Sequence, residues 1–126
     1  RDLLGYTIVN DADERGKFIS AILGLDDVIV RTVKMKPNVN SDSLIELLEF
    51  KSHRGDVKSE REYDLFRIGP THVALTVEDL SDLYIKMLNT NIEFISKPKI
   101  SPDGYAKVVF CKAPEGTFIE LVEVLK

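Results

Sequence analysis

The chain has 126 residues and a formal net charge of −4, and 44% of its residues are hydrophobic and 30% charged. This length suits one domain of ordinary size, and the composition indicates neither a membrane span nor a disordered tract. The 17 Lys and Arg residues are scattered, which disfavours a nucleic-acid-binding face. We therefore expect a small-molecule substrate or ligand as the partner, with no nucleic acid and no membrane. Residues 1–9 lack the features of a signal peptide, so we expect a cytoplasmic protein.

The first half of the chain predicts four elements of secondary structure. A strand is expected at Leu3–Val9, followed by a helix at about Asp13–Leu23 that Gly24 closes. A strand or strand pair is expected over Val28–Lys36, and a further strand over Leu44–Phe50.

The second half predicts a clearer version of the same order. A strand that begins at His72 precedes a helix that Asp79 or Ser81 caps and that ends near Leu88. A short strand at Ile92–Ile95 and a turn at 101–104 follow. Two further strands complete the half, at Tyr105–Lys112 and Thr117–Val124.

An internal repeat links the two halves. Residues 43–50, SLIELLEF, return 74 positions later at 117–124 as TFIELVEV. Glu46 and Glu120 therefore occupy equivalent places in two modules, and by strand alternation Glu49 and Glu123 face the opposite side. We predict a single domain over 1–126, with module 1 at about 1–50, a charged connection at about 51–68 and module 2 at about 69–126.

Several motifs in this order resemble the vicinal oxygen chelate superfamily. They are Leu-Gly-Leu at 23–25, Ile-Glu-Leu at 45–47 and 119–121, and Thr-His-Val-Ala-Leu at 71–75. The superfamily includes glyoxalase I, methylmalonyl-CoA epimerase, extradiol dioxygenases and the bleomycin-resistance proteins. The resemblance implies an α+β fold in which two βαβββ modules form a cupped mixed β-sheet with helices on the outer face. It also implies a homodimer.

The same resemblance implies a divalent metal site inside the cup. Its ligands come from the first and last strands of each module, which here assigns Glu46, His72 and Glu120 as metal ligands. An offset of 68 places Leu4 at the fourth position, where the family has a ligand and leucine cannot be one. One imidazole and two carboxylates suit Zn, Ni, Co, Mn or Fe.

The resemblance favours a glyoxalase-like, metal-dependent lyase or isomerase that transfers a proton next to a carbonyl. Glu120 or Glu46 would act as the catalytic base. An extradiol dioxygenase is disfavoured, because its iron site needs two histidines and the second histidine here, His53, lies in the charged connection. The alternative is a non-catalytic small-molecule-binding protein of bleomycin-resistance type without a complete metal site. From the residues alone, Glu46 and Glu120 could also lie on solvated strand ends, with His72 at a strand start.

Overall fold

The computed structural model describes residues 1–38, 40–53, 65 and 68–125. It is an α+β structure, and the predicted class is confirmed. The chain divides into two compact units, Arg1–Val57 and Lys58–Lys126. The predicted connection at about 51–68 lies largely outside the described residues.

Unit 1 contains a three-stranded antiparallel sheet in the order β1-β2-β3. The strands are β1 (Thr7–Arg15), β2 (Ile29–Lys36) and β3 (Ile45–Phe50), and the helix α1 (Lys17–Leu23) lies between β1 and β2 in the chain. Helix α1 ends at Gly24, whose φ of 65° is the left-handed conformation that glycine adopts without a steric penalty. Its buried residue Ile19 packs with Val28 and Val30 to form the apolar core of this unit.

Unit 2 has the complete β-α-β-β-β order. Its elements are β4 (His72–Thr76), α2 (Leu80–Leu88), β5 (Lys99–Ile100), β6 (Ala106–Lys112) and β7 (Phe118–Val124). The sheet order is β4-β7-β6-β5, with β4 parallel to β7 and the other pairs antiparallel. Where a strand was predicted at Ile92–Ile95, the structure has a single bridge between Phe94 and Cys111.

Local sequence explains how the elements of unit 2 begin and end. The Asp79 side chain accepts a hydrogen bond from the Asp82 backbone N–H at 2.9 Å, which caps α2 as predicted. The predicted turn at 101–104 is present, with Asp103 accepting from the Tyr105 N–H at 3.0 Å. Gly104 has a φ of 75° in this turn. The core side chains of unit 2 are Leu75, Leu80, Met87, Val109, Cys111, Phe118 and Leu121.

The two faces of the unit 2 sheet differ in what covers them. Glu123 accepts a hydrogen bond from the Leu80 N–H at 3.2 Å, so α2 packs on the face of β7 that carries Glu123 and Leu121. Because side chains alternate along a strand, Glu120 points to the opposite face. Glu123 also binds Lys107 Nζ at 2.8 Å. The helix therefore stabilises one face of the sheet and leaves the face of Glu120 for other groups.

Candidate functional site

The clearest candidate site in unit 2 is a histidine and a glutamate on adjacent parallel strands. His72 begins β4, and Ala74, two residues along, lies directly opposite Glu120 on β7. The imidazole Nε2 of His72 is 3.6 Å from Oε2 of Glu120. The side chains are 38% and 24% exposed, so the pair is reachable by a solute while being partly removed from water. The parallel pairing of β4 with β7 thus brings two of the predicted site residues together.

Two neighbours orient the His72 ring. Its Nδ1 lies 3.0 Å from the Thr71 hydroxyl oxygen, and its ring meets Phe110 edge to face with centroids 5.4 Å apart. Phe110 is directly opposite Glu120 on β6, so the aromatic ring borders the same pair. If Nδ1 donates its proton to Thr71, Nε2 keeps a free lone pair on the side of Glu120. Thr71 was missed from the sequence, where a hydroxyl next to a histidine gives no distinctive signal.

Glu46 has the predicted position on β3 but a different partner. It lies directly opposite Lys34 on β2, and Lys34 Nζ is 3.4 Å from Glu46 Oε1. The equivalent cross-strand partner of Glu120 is the uncharged Phe110. The two glutamates therefore match in strand position and differ in electrostatic surroundings, since an ammonium group neutralises Glu46. Lys34 was also missed, although aligning the predicted strands at 28–36 and 44–50 as a hairpin could have placed it there.

The equivalence of Leu4 with His72 is wrong. Leu4 lies in a turn before β1, closed by a 2.9 Å hydrogen bond from the Gly5 N–H to the Arg1 carbonyl oxygen, and not in a strand at Leu3–Val9. Strand β1 pairs antiparallel with β2, as β5 pairs antiparallel with β6 in unit 2, whereas β4 pairs parallel with β7. By the direction of its strand pairing, β1 therefore corresponds to β5 and not to β4. The described part of unit 1 has no strand in the place of β4, so Leu4 says nothing about a fourth ligand.

The chain superposes on a glyoxalase family protein from Bacillus cereus with a TM-score of 0.83, 21% identity and coverage of 99% of this chain and 82% of that one. A member of the glyoxalase/bleomycin resistance protein/dioxygenase superfamily from Sphaerobacter thermophilus gives a TM-score of 0.58 and 19% identity, covering 97% and 80%. The trypanothione-dependent glyoxalase I of Leishmania major gives 0.58 and 18%, covering 97% and 71%.

The chain has the glyoxalase-superfamily fold. Its structural neighbours belong to the group that the sequence motifs resemble, so that resemblance is confirmed at the level of the fold. Neither a family model nor a curated protein sequence matches the chain. At these identities the likeness establishes the glyoxalase-superfamily fold and leaves the reaction to be argued from the site.

The donor atoms of the His72–Glu120 pair are of the kinds that bind a divalent metal. His72 offers an imidazole nitrogen and Glu120 a carboxylate, which suit borderline first-row metals. Across the described residues, no group of three or more His, Cys, Asp or Glu side chains is gathered closely enough to hold an ion. Unit 2 therefore supplies two ligands of a possible set, and Glu46 belongs to unit 1. The described helices include none that is long and apolar enough to cross a membrane.

Proposed function

We propose that this chain is a glyoxalase-type lyase or isomerase that moves a proton next to a carbonyl of a small oxygenated substrate. The observation that carries the proposal is the His72–Glu120 pair, 3.6 Å apart on adjacent parallel strands and bordered by Phe110. A partly buried carboxylate next to an imidazole is a common arrangement for acid–base chemistry. The fold shared with the glyoxalase I of Leishmania major supports this class of reaction without identifying the substrate.

In this proposal Glu120 is the catalytic base. Its carboxylate takes the proton from a hydroxyl-bearing carbon next to the carbonyl; the electrons of the broken C–H bond form a C=C bond, and the carbonyl π electrons move to the carbonyl oxygen, which gives an enediolate. The carboxylic acid then returns the proton to the former carbonyl carbon while the hydroxyl proton of the first carbon passes to the other oxygen, so the carbonyl is restored on the first carbon and the overall reaction is an isomerisation. A positioned base of this kind contributes about 10²- to 10⁴-fold to the rate.

His72 and Glu120 are also the proposed holders of a divalent metal, with Glu46 as a third candidate ligand, and Glu120 or Glu46 would act as the base only when its carboxylate has left the ion. Zn, Ni, Co, Mn or Fe would suit these donors, and a bound ion would stabilise negative charge on the substrate oxygen. The Thr71 hydroxyl would support this role for His72 in the tautomer that carries its proton on Nδ1, because accepting that proton leaves the Nε2 lone pair available. Glu46 would first have to exchange its ion pair with Lys34 for the metal.

One observation favours a second candidate function, a non-catalytic small-molecule-binding protein. Glu46 already has a cationic partner in Lys34. The surface formed by Phe110 and His72 could then hold a ligand by contact alone. The expected homodimer and cytoplasmic location stay predictions under both functions.

Solvent-deuterium exchange tests the enzymatic proposal without knowledge of the product. The protein is incubated in D₂O with a panel of small α-hydroxycarbonyl compounds and hemithioacetals, and loss of the C–H signal is followed by proton NMR. We expect exchange with at least one compound, and a decrease of about 100-fold or more in Glu120→Gln.

A matched control is Glu93→Gln, which removes a carboxylate that pairs with Lys112 on the surface. This variant should exchange at the wild-type rate. Compounds that bind equally to wild type and Glu120→Gln, with no exchange in either, would support the binding protein instead.

A further inference from the structure

The face of the unit 2 sheet that carries Glu120 also carries a lysine, Lys99. Lys99 lies directly opposite Val108 on β6, and Val108 lies directly opposite Val122 on β7. Directly opposed residues on antiparallel strands project to the same face of a sheet. Val122 is two residues from Glu120 on β7 and shares its face. Lys99 therefore projects on the same side of the sheet as the His72–Glu120 pair.

The next residue along β5 gives the same orientation by a second route. Ile100 lies directly opposite Lys107. Lys107 Nζ is 2.8 Å from Glu123, on the side of the sheet that α2 covers. Ile100 therefore projects to the α2 side, and strand alternation puts Lys99 on the other side.

The strand register determines how far Lys99 lies from Glu120. Two strand spacings separate β5 from β7, and two residues along β7 separate Val122 from Glu120. These steps are about 10 Å across the strands and about 7 Å along them, so the Cα atoms of Lys99 and Glu120 are about 12 Å apart. The flexible four-carbon stem of the lysine spans part of this distance. The remainder suits a small substrate with its reacting carbon at one end and a second group at the other.

The surface between these two charged side chains is apolar. Val108, Phe110 and Val122 lie on this face in the rows of Glu120 and Lys99, and all three are half-buried. A less polar surface strengthens the attraction between charges placed on it. The carbon part of a substrate could therefore lie against these residues while Lys99 attracts an anionic end.

The ion pairs of unit 2 leave Lys99 available for such an anion. Three lysines have a carboxylate partner, in the pairs Lys86–Asp82, Lys107–Glu123 and Lys112–Glu93. Lys112 also belongs to the Glu120 face, since it is directly opposite Phe118, and Glu93 neutralises it at 2.8 Å. Lys99 forms no ion pair with any residue that the structure describes. The Glu120 carboxylate repels an anion close to it, which favours the orientation with the anion at Lys99.

We infer that Lys99 is a specificity residue that selects substrates with an anionic end. The inference rests on the proposed function, in which Glu120 is the base. The reacting carbon lies at Glu120, the carbon chain lies against Phe110 and Val122, and a carboxylate or phosphate accepts a hydrogen bond from the Lys99 ammonium. The substrate class is therefore an α-hydroxycarbonyl compound or hemithioacetal that ends in an anionic group.

The test compares matched neutral and anionic compounds in the deuterium-exchange assay. The first pair consists of the hemithioacetals of methylglyoxal with 2-mercaptoethanol and with 3-mercaptopropionate, which end in a hydroxyl and a carboxylate. The second pair is dihydroxyacetone and its phosphate. We expect wild-type kcat/KM to be about 10-fold higher for the anionic member of at least one pair, as one charge-assisted hydrogen bond allows. The pair that shows the preference distinguishes carboxylate from phosphate.

Variants of Lys99 separate substrate binding from a structural role. Lys99→Gln should raise KM for the preferred anionic compound about 10-fold and change kcat by less than about 2-fold, because the lysine takes no part in proton transfer. The neutral compound should react as with wild type. Lys99→Arg keeps the positive charge and should keep the preference. The matched control is Lys86→Gln, which removes a lysine of α2 on the other side of the sheet and should change neither compound.

Several outcomes would overturn the inference and leave the proposed function intact. They are equal kcat/KM for both members of each pair in wild type, a preference that survives in Lys99→Gln, and equal losses for neutral and anionic compounds in that variant. Absence of exchange with every compound would instead count against the proposed function.

Binding then decides the role of Lys99 separately, by NMR titration of the same compounds followed at the Phe110 and Lys99 amides. Preferential binding of an anionic compound that is lost in Lys99→Gln would support the anion site in a binding protein. Binding that does not depend on Lys99, or no binding, would overturn it.

Discussion

The leucines that the repeat places in equivalent positions should differ strongly in their effect on stability. Leu121 is 0% exposed beneath α2, and replacing a buried leucine with alanine costs about 2–5 kcal/mol in lost transfer free energy and cavity formation. Leu47 is 53% exposed, so its side chain has only about half of the burial of a core leucine. Full burial of a leucine contributes about 2 kcal/mol, so Leu47→Ala should cost about 1 kcal/mol. We therefore predict that Leu121→Ala destabilises its unit by at least about 1 kcal/mol more than Leu47→Ala destabilises unit 1.

The assay is urea unfolding followed by NMR amide signals, since each unit then reports on its own unfolding. For a domain of 60–100 residues, 1 kcal/mol corresponds to about 4–8 °C in Tm, so Leu121→Ala should also lower the Tm of unit 2 by about 10 °C or more. Equal losses of stability in the two variants would contradict this prediction, because they would mean that Leu47 is as well packed as Leu121.

Three further predictions follow from the described contacts. Asp79→Ala should lower the free energy of unfolding of unit 2 by about 1 kcal/mol in urea, because the Asp82 N–H loses its cap; an unchanged midpoint would contradict this. Burial raises the pKa of the Cys111 thiol, so a disulfide reagent at pH 8 should modify it only as the protein unfolds, and rapid modification of native protein would refute its buried position. A hydrogen bond from Arg31 lowers the pKa of Asp11. The pair therefore stabilises unit 1 at pH values above the ordinary carboxyl pKa of about 4, and this stabilisation is lost as the pH falls through the lower pKa that Asp11 has in the folded protein. Asp11→Asn should therefore flatten the acid dependence of unit 1 stability, and an unaltered acid profile would contradict the pairing.

The second half of the chain was the more predictable from sequence, because its signals are local. The apolar stripe of α2, its Asp79 cap and the turn before Tyr105 depend on residues close together in the chain. The repeat also located β3 and β7. In each case the residues that determine the local structure lie within one short segment of the sequence.

The first half was less predictable because its strand partners are decided by non-local pairing. A pattern around Leu3–Val9 gives no information on which strand lies beside it, and the structure places β1 at Thr7–Arg15 against β2. The same limit applies to the site. The repeat predicted that Glu46 and Glu120 are equivalent, while the Lys34 partner that distinguishes Glu46 follows from the cross-strand register.

Metal analysis tests whether the His72–Glu120 pair is the chemical centre of a metal-dependent enzyme. Wild type, Glu120→Ala and the control Glu93→Gln are purified without added metal, and metal content is measured by mass spectrometry. We expect a stoichiometric transition metal in wild type and in Glu93→Gln, with loss of that metal in Glu120→Ala. Two results together would contradict this expectation. None of the three proteins would contain metal after incubation with Zn, Ni, Co, Mn and Fe in turn, and Glu120→Ala would bind small molecules as wild type does.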